Sequence, residues 1–98
     1  MKQTERIEAH EAQMRRLRQA INELRAAMDA FLAQQPEADL LKTYYESALW
    51  KVDFAADEAG RLPQDLQRGV LSEDGLYNLL EENDALLRML AAAGETDV

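Results

Sequence analysis

From Ile7 to Phe31 the chain repeats a spacing that few folds can use. Ile7, His10, Met14, Leu17, Ile21, Leu24, Met28 and Phe31 follow one another at alternating steps of three and four residues. That is the a/d pattern of a heptad helix, sustained for more than three repeats and interrupted only by His10 at a d position. It predicts one long helix over 4–34, with Thr4 as N-cap and its end enforced by Pro36, which disfavours helical geometry at Gln35. Such a helix is about 45 Å long at 1.5 Å per residue. It cannot be stable in isolation unless its apolar seam is covered.

The remaining segments are shorter. Pro36, with Glu37 and Asp39 in a first turn where acids suit the helix dipole, opens a stretch carrying Leu40, Leu41, Tyr44 and Tyr45. Ser47 offers a cap for a further piece with Trp50, Val52 and Phe54, closed by Gly60 as the residue after the C-cap. The pattern over 37–59 fits one kinked helix or two short ones. Residues 60–71, punctuated by Pro63 and Gly69, form the connector, with Leu62 and Leu66 expected to tuck inward. Ser72 then caps a last helix over 72–93, with Glu73 and Asp74 in its first turn and Leu76, Leu79, Leu80, Leu86, Leu87 and Leu90 on its apolar face; 94–98 is a tail. Asn83 interrupts that face as a register-fixing polar residue.

The expected fold is therefore all-α, a single domain over 1–98. It is a small helical bundle in which the long N-terminal helix packs on the Leu-rich C-terminal helix and the short middle helices cover the pair. The C-terminal helix is the shorter of the two, so part of the seam overhangs. An overhang invites self-association, unless it frays or the middle helices cover it.

Charge and composition then narrow the function. Eleven Lys+Arg against nineteen Asp+Glu give a net charge of −8. Residues 1–35 hold six basic and five acidic side chains, +1, whereas 36–98 hold five and fourteen, −9. The halves attract, and acidity keeps a small chain soluble. With no cysteine and one histidine, a disulfide framework, thiolate metal sites, a cysteine nucleophile and a histidine cluster are all excluded. His10-Glu11 begins a zinc-protease motif but has Met14 where the second histidine belongs. No stretch approaches the 18 or so apolar residues of a membrane span, and no apolar leader is visible, which points to the cytoplasm.

Two acid pairs at i, i+3, Glu8 with Glu11 and Glu81 with Asp84, have the arrangement of a Mg²⁺ site in an all-α nucleotide hydrolase. Acid pairs also populate any solvated helix face, and no metal or other cofactor is expected. Arg15, Arg16, Arg18 and Arg25 are the one basic concentration. Without interleaved aromatics they pair better with Glu81, Glu82 and Asp84, or with an acidic protein, than with nucleic acid. Tyr44, Tyr45, Trp50 and Phe54, joined by Tyr77, form an aromatic cluster that suits a core or a ligand groove.

The run Tyr44, Tyr45, Ser47, Trp50 and Asp53, then Asp57, Gly60, Leu62 and Pro63, then Gly69-Val70-Leu71-Ser72-Glu73-Asp74, Tyr77, Leu79, Leu80, Glu82 and Asn83, resembles a family of small bacterial proteins catalogued as a domain of unknown function and marked by a YY pair and a VLSED motif. The resemblance covers most of the chain and implies that these residues form one unit. It implies no activity. The reading that follows is a non-enzymatic helical interaction module, an adaptor or regulator that binds a protein partner or itself and neither nucleic acid nor membrane. The alternatives are a metal-dependent nucleotide hydrolase using Glu8, Glu11, Glu81 and Asp84, and an acidic inhibitor of a nucleic-acid-binding protein.

Overall fold

The computed structural model describes residues 2–72 and 74–95, and of Glu95 its backbone only. It is all-α: α1 Gln3–Ala33, α2 Gln35–Tyr45, α3 Ala48–Glu58, a 3₁₀ turn Gly69–Leu71 and α4 Gly75–Glu95, with no strand among the described residues. The chain divides into two compact units, 1–35 and 36–98.

The first unit is α1. Lys2, in extended backbone, precedes it and makes no side-chain cap; Thr4, expected there, lies inside the first turn instead. The helix ends at Ala33, with Gln34 as a C-cap at φ −90°, ψ −1°. Gln35, expected to be pushed out of helical geometry by Pro36, is helical and opens α2. The break falls earlier because proline lacks an N–H and its ring crowds the carbonyl four residues back, which belongs to Leu32. Gln35 Nε2 donates to the Phe31 carbonyl at 3.3 Å, satisfying one of the groups the ending helix frees.

In the second unit the 37–59 stretch is two helices, separated at Glu46-Ser47. Ser47 makes the break chemically complete. Its Oγ donates to the Tyr44 carbonyl at 2.6 Å and accepts the Trp50 N–H at 3.4 Å, closing α2 and capping α3 with one hydroxyl. Beyond α3, Gly60 N–H reaches the Asp57 carbonyl and Arg61 N–H the Ala56 carbonyl, at 3.0 and 2.9 Å. That double bond pattern is the Schellman closure, and it needs the left-handed backbone that Gly60 adopts at φ +69°.

The connector then turns through Leu66 N–H to the Pro63 carbonyl. Leu62 is half-buried, but Leu66, expected inside, is exposed. Ser72 Oγ accepts the Gly75 N–H at 3.3 Å, so the expected cap is made although the regular helix begins only at Gly75. Glu73 lies outside the described residues. A Cβ on residue 75 would stand 3.0 Å from Ser72 Oγ and 3.1 Å from its Cβ, which gives the glycine at this helix start a packing reason.

The core is small. Among the described residues Leu71, at 6% exposure, and Leu76, at 3%, are its buried apolar side chains. Both lie where the 3₁₀ turn meets α4, and α3 approaches the same turn. Along α4 the residues turned from solvent are Leu76, Leu80, Asn83, Leu87 and Leu90, again at steps of four and three, while Leu79 and Leu86 are exposed.

Candidate functional site

The YY and VLSED segments converge in the second unit. On α3 the residues withdrawn from solvent include Trp50, Asp53, Phe54 and Asp57, the i, i+3, i+4, i+7 face. Leu49 and Val52 point out. An inward helix face with two carboxylates demands partners, because a poorly hydrated acid without hydrogen bonds is costly. Each has one: Tyr44 Oη donates to Asp53 Oδ2 at 2.6 Å, and Arg68 pairs with Asp57 Oδ1 at 2.7 Å.

Trp50 is the hub. Its ring meets Tyr45 edge-on at 5.0 Å between centroids and stacks on Phe54 at 5.2 Å with 20° between planes. Its Nε1–H donates to the Val70 carbonyl at 2.9 Å, tying α3 to the 3₁₀ turn across twenty residues of chain. Tyr77, expected to join the cluster, is 49% exposed on α4. The aromatics therefore pack on one another and on the turn.

The hydrogen bond to Asp53 pushes the Tyr44 phenol from 10.0 up to about 12, helped by partial burial and by the negative charge it faces. A raised folded-state value favours the protonated phenol in the native fold. The stabilisation is complete below pH 10 and lost as pH rises through about 12. We expect wild-type unfolding free energy to fall over that interval by about 1–2 kcal/mol more than that of Tyr44→Phe, after allowance for solvent screening. Denaturant titrations of both proteins at pH 9, 10, 11 and 12 check this, and equal slopes would refute it.

Beside this network lies an open cleft of about 360 Å³, lined by Leu41 of α2, Gln67, Gly69 and Val70 of the connector and turn, and Gly75, Leu76 and Leu79 of α4. Its walls are mostly aliphatic or glycine, with the Gln67 amide as the side-chain polar group. Gly69, Val70, Gly75 and Leu76 thus line a cleft, while Tyr44, Tyr45 and Trp50 build the packing behind it.

The other candidates stand as follows. Glu8, Glu11, Glu81 and Asp84 are all exposed. Among the described residues no three or more His, Asp or Glu side chains are grouped to hold a metal ion. His10 is exposed on α1 and donates through Nδ1 to Gln13 Oε1 at 2.7 Å. Asp74 is exposed and its carbonyl accepts the Asn78 N–H at 2.8 Å. Among the described residues no helix is long and apolar enough to cross a membrane. Arg68 and Gln67 were not separable from their connector by residue type. The clue to Arg68 was Asp57, an acid on an inward face that required a cation.

No curated protein and no solved structure matches the chain. The YY and VLSED motifs both lie within residues 7–92, the span that matches the family described as a domain of unknown function (DUF4298), and the chain belongs to that family.

Proposed function

We propose that this chain is a small bacterial cytosolic interaction module without enzymatic activity, an adaptor or regulator that works through helix pairing. One observation carries the reading. The heptad seam of α1 faces solvent, with Ile7, Met14, Leu17, Ile21 and Leu24 between 37% and 62% exposed and no residue of the helix buried. Scattered exposed apolar residues are ordinary, but a stripe in heptad register, broken only at His10 and half-buried at Met28 and Phe31, is a binding surface for another helix. The side-chain inventory supports the same conclusion, since a chain with one histidine and no cysteine has few groups suited to nucleophilic or general-base work near neutral pH.

The magnitudes are adequate for modest affinity. Covering a half-exposed Leu, Ile or Met side chain contributes about 1 kcal/mol, and five such residues on each of two helices give roughly 10 kcal/mol. Association costs of about 4–15 kcal/mol offset much of that, which suits a regulated contact.

The double variant Leu17→Glu/Leu24→Glu tests the proposal. Glutamate propagates helix about as well as leucine, so far-UV circular dichroism should change little. We expect wild-type protein, used as bait or measured alone across concentration, to acquire a partner or to self-associate, and the variant to do neither. A wild-type chain that stays strictly monomeric and retains no protein would defeat the reading.

A further inference from the structure

We propose that residues 36–98 carry a docking surface of their own, in which the cleft at the start of α4 and the α4 face that continues it hold a basic amphipathic helix of another protein. The surface draws on no residue of α1. The cleft, about 360 Å³, has aliphatic walls from Leu41, Val70, Leu76 and Leu79. By itself it is at the low end of the roughly 300–1,000 Å³ of small-ligand pockets. What extends it is α4, along which two heptad stripes run side by side. The inner one, from Leu76 to Leu90, is turned from solvent. The outer one is Leu79, Glu82, Leu86 and Met89, at steps of three, four and three, and all four are exposed. Its apolar members are between 45% and 65% exposed. Leu79 belongs to both the cleft and the outer stripe, which runs on from it to Met89 for about 15 Å. That length suits a helix placing apolar anchors at i, i+3 or i+4, and i+7, the first of them in the cleft.

Charge decides what the occupant carries. Residues 36–98 hold five basic and fourteen acidic side chains, −9. Glu82 stands in the outer stripe itself, one turn from Leu79 and one from Leu86. Glu37 lies exposed one turn before Leu41 on α2, and exposed Asp74 adjoins Gly75. In the connector Arg68 is engaged by Asp57 at 2.7 Å, and Lys42 lies about 100° around α2 from Leu41. Two copies of this surface would set Glu82 against Glu82 and one −9 unit against another, and a nucleic acid or an anionic lipid surface is repelled in the same way. A helix with aliphatic residues in its seam and Lys or Arg opposite Glu82 meets both the apolar stripe and the acids around it.

The test titrates the full chain into three fluorescein-labelled 18-residue peptides, read by anisotropy. The first has Leu at alternating steps of three and four with Lys on its flanks. The second has Glu for every Lys, and the third has the composition of the first with its Leu spread around the helix. We expect the first to bind about tenfold tighter than either of the others, and to weaken about tenfold between 50 and 500 mM salt. Leu79→Gln/Leu86→Gln changes exposed positions that the fold should tolerate and should weaken the first peptide about tenfold. Glu82→Lys should weaken the first and strengthen the second, whereas Leu17→Glu/Leu24→Glu should alter neither. No binding of the first peptide, equal binding of the first and third, or indifference to Leu79→Gln/Leu86→Gln overturns the proposal. Loss of binding in Leu17→Glu/Leu24→Glu would put the peptide on the α1 seam and also overturns it. A wild-type mass that rises with concentration and falls back in Leu79→Gln/Leu86→Gln would show a second copy on this face in place of a basic partner, again overturning it.

Discussion

Leu76→Ala should cost residues 36–98 about 3 kcal/mol, most of the stability a unit of this size commands. Among the described residues Leu76 is the most deeply buried apolar side chain, at 3% exposure, and it stands at the first turn of α4 against a core whose other buried member among them is Leu71. Truncation removes apolar area and leaves a void beside the open cleft that Leu76 also lines. The small core has few neighbouring side chains that could collapse into the gap. Urea unfolding followed by circular dichroism measures the loss. Leu79→Ala, three residues on and 51% exposed, should fall within about 0.5 kcal/mol of wild type. Equal costs for the two substitutions would mean that the core does not centre on Leu76.

Trp50 carries the second large effect, and two variants separate its roles. Trp50→Phe keeps an aromatic ring for Tyr45 and Phe54 but deletes the donor to the Val70 carbonyl, leaving that acceptor without its partner, for about 1 kcal/mol. Trp50→Ala removes the ring contacts as well and should cost about 3 kcal/mol. The indole reports on itself: near-ultraviolet circular dichroism of the wild type should lose its fine structure in the same transition that the far-ultraviolet signal follows. A Trp50→Phe variant as destabilised as Trp50→Ala would mean that the Nε1 bond, and not the ring stack, holds α3 to the turn.

How much of this was legible beforehand depends on the distance over which each interaction acts. The periodicity of Ile7 to Phe31 specified a helix because the signal is local and sustained over eight positions. Ser47, Gly60 and Ser72 could be placed because a cap or a left-handed turn is satisfied within three or four residues. Thr4 misled, because a cap residue type says nothing about which residue takes extended backbone, and Lys2 takes it. The early break at Gln34 follows from what Pro36 does four residues back, one turn before the position it was expected to disturb.

Pairings across loops were the illegible part. Nothing local says that Tyr44 reaches Asp53 or that Arg68 reaches Asp57. The aromatics could be named as a cluster, but whether they made core or cleft turned on Val70, twenty residues away. The cleft's own lining of Leu41, Val70, Leu76 and Leu79 looks like any set of core aliphatics until the backbone leaves it open.

The bond from Trp50 to Val70 has a kinetic consequence. It closes a loop of twenty residues, and α3 and α4 approach the 3₁₀ turn rather than each other. α3 already meets α2 through Tyr44 with Asp53 and Tyr45 with Trp50, but it meets the 3₁₀ turn only when that loop shuts. Loop closure for twenty residues carries a length-dependent entropy of about 2.7 kcal/mol, repaid only once the turn is docked. The caps, turns and side-chain pairs of 36–98 are shorter in sequence and form quickly, as in any helical chain of low contact order. Docking of Val70 onto Trp50 therefore follows the caps and turns and carries a larger closure cost than any of them.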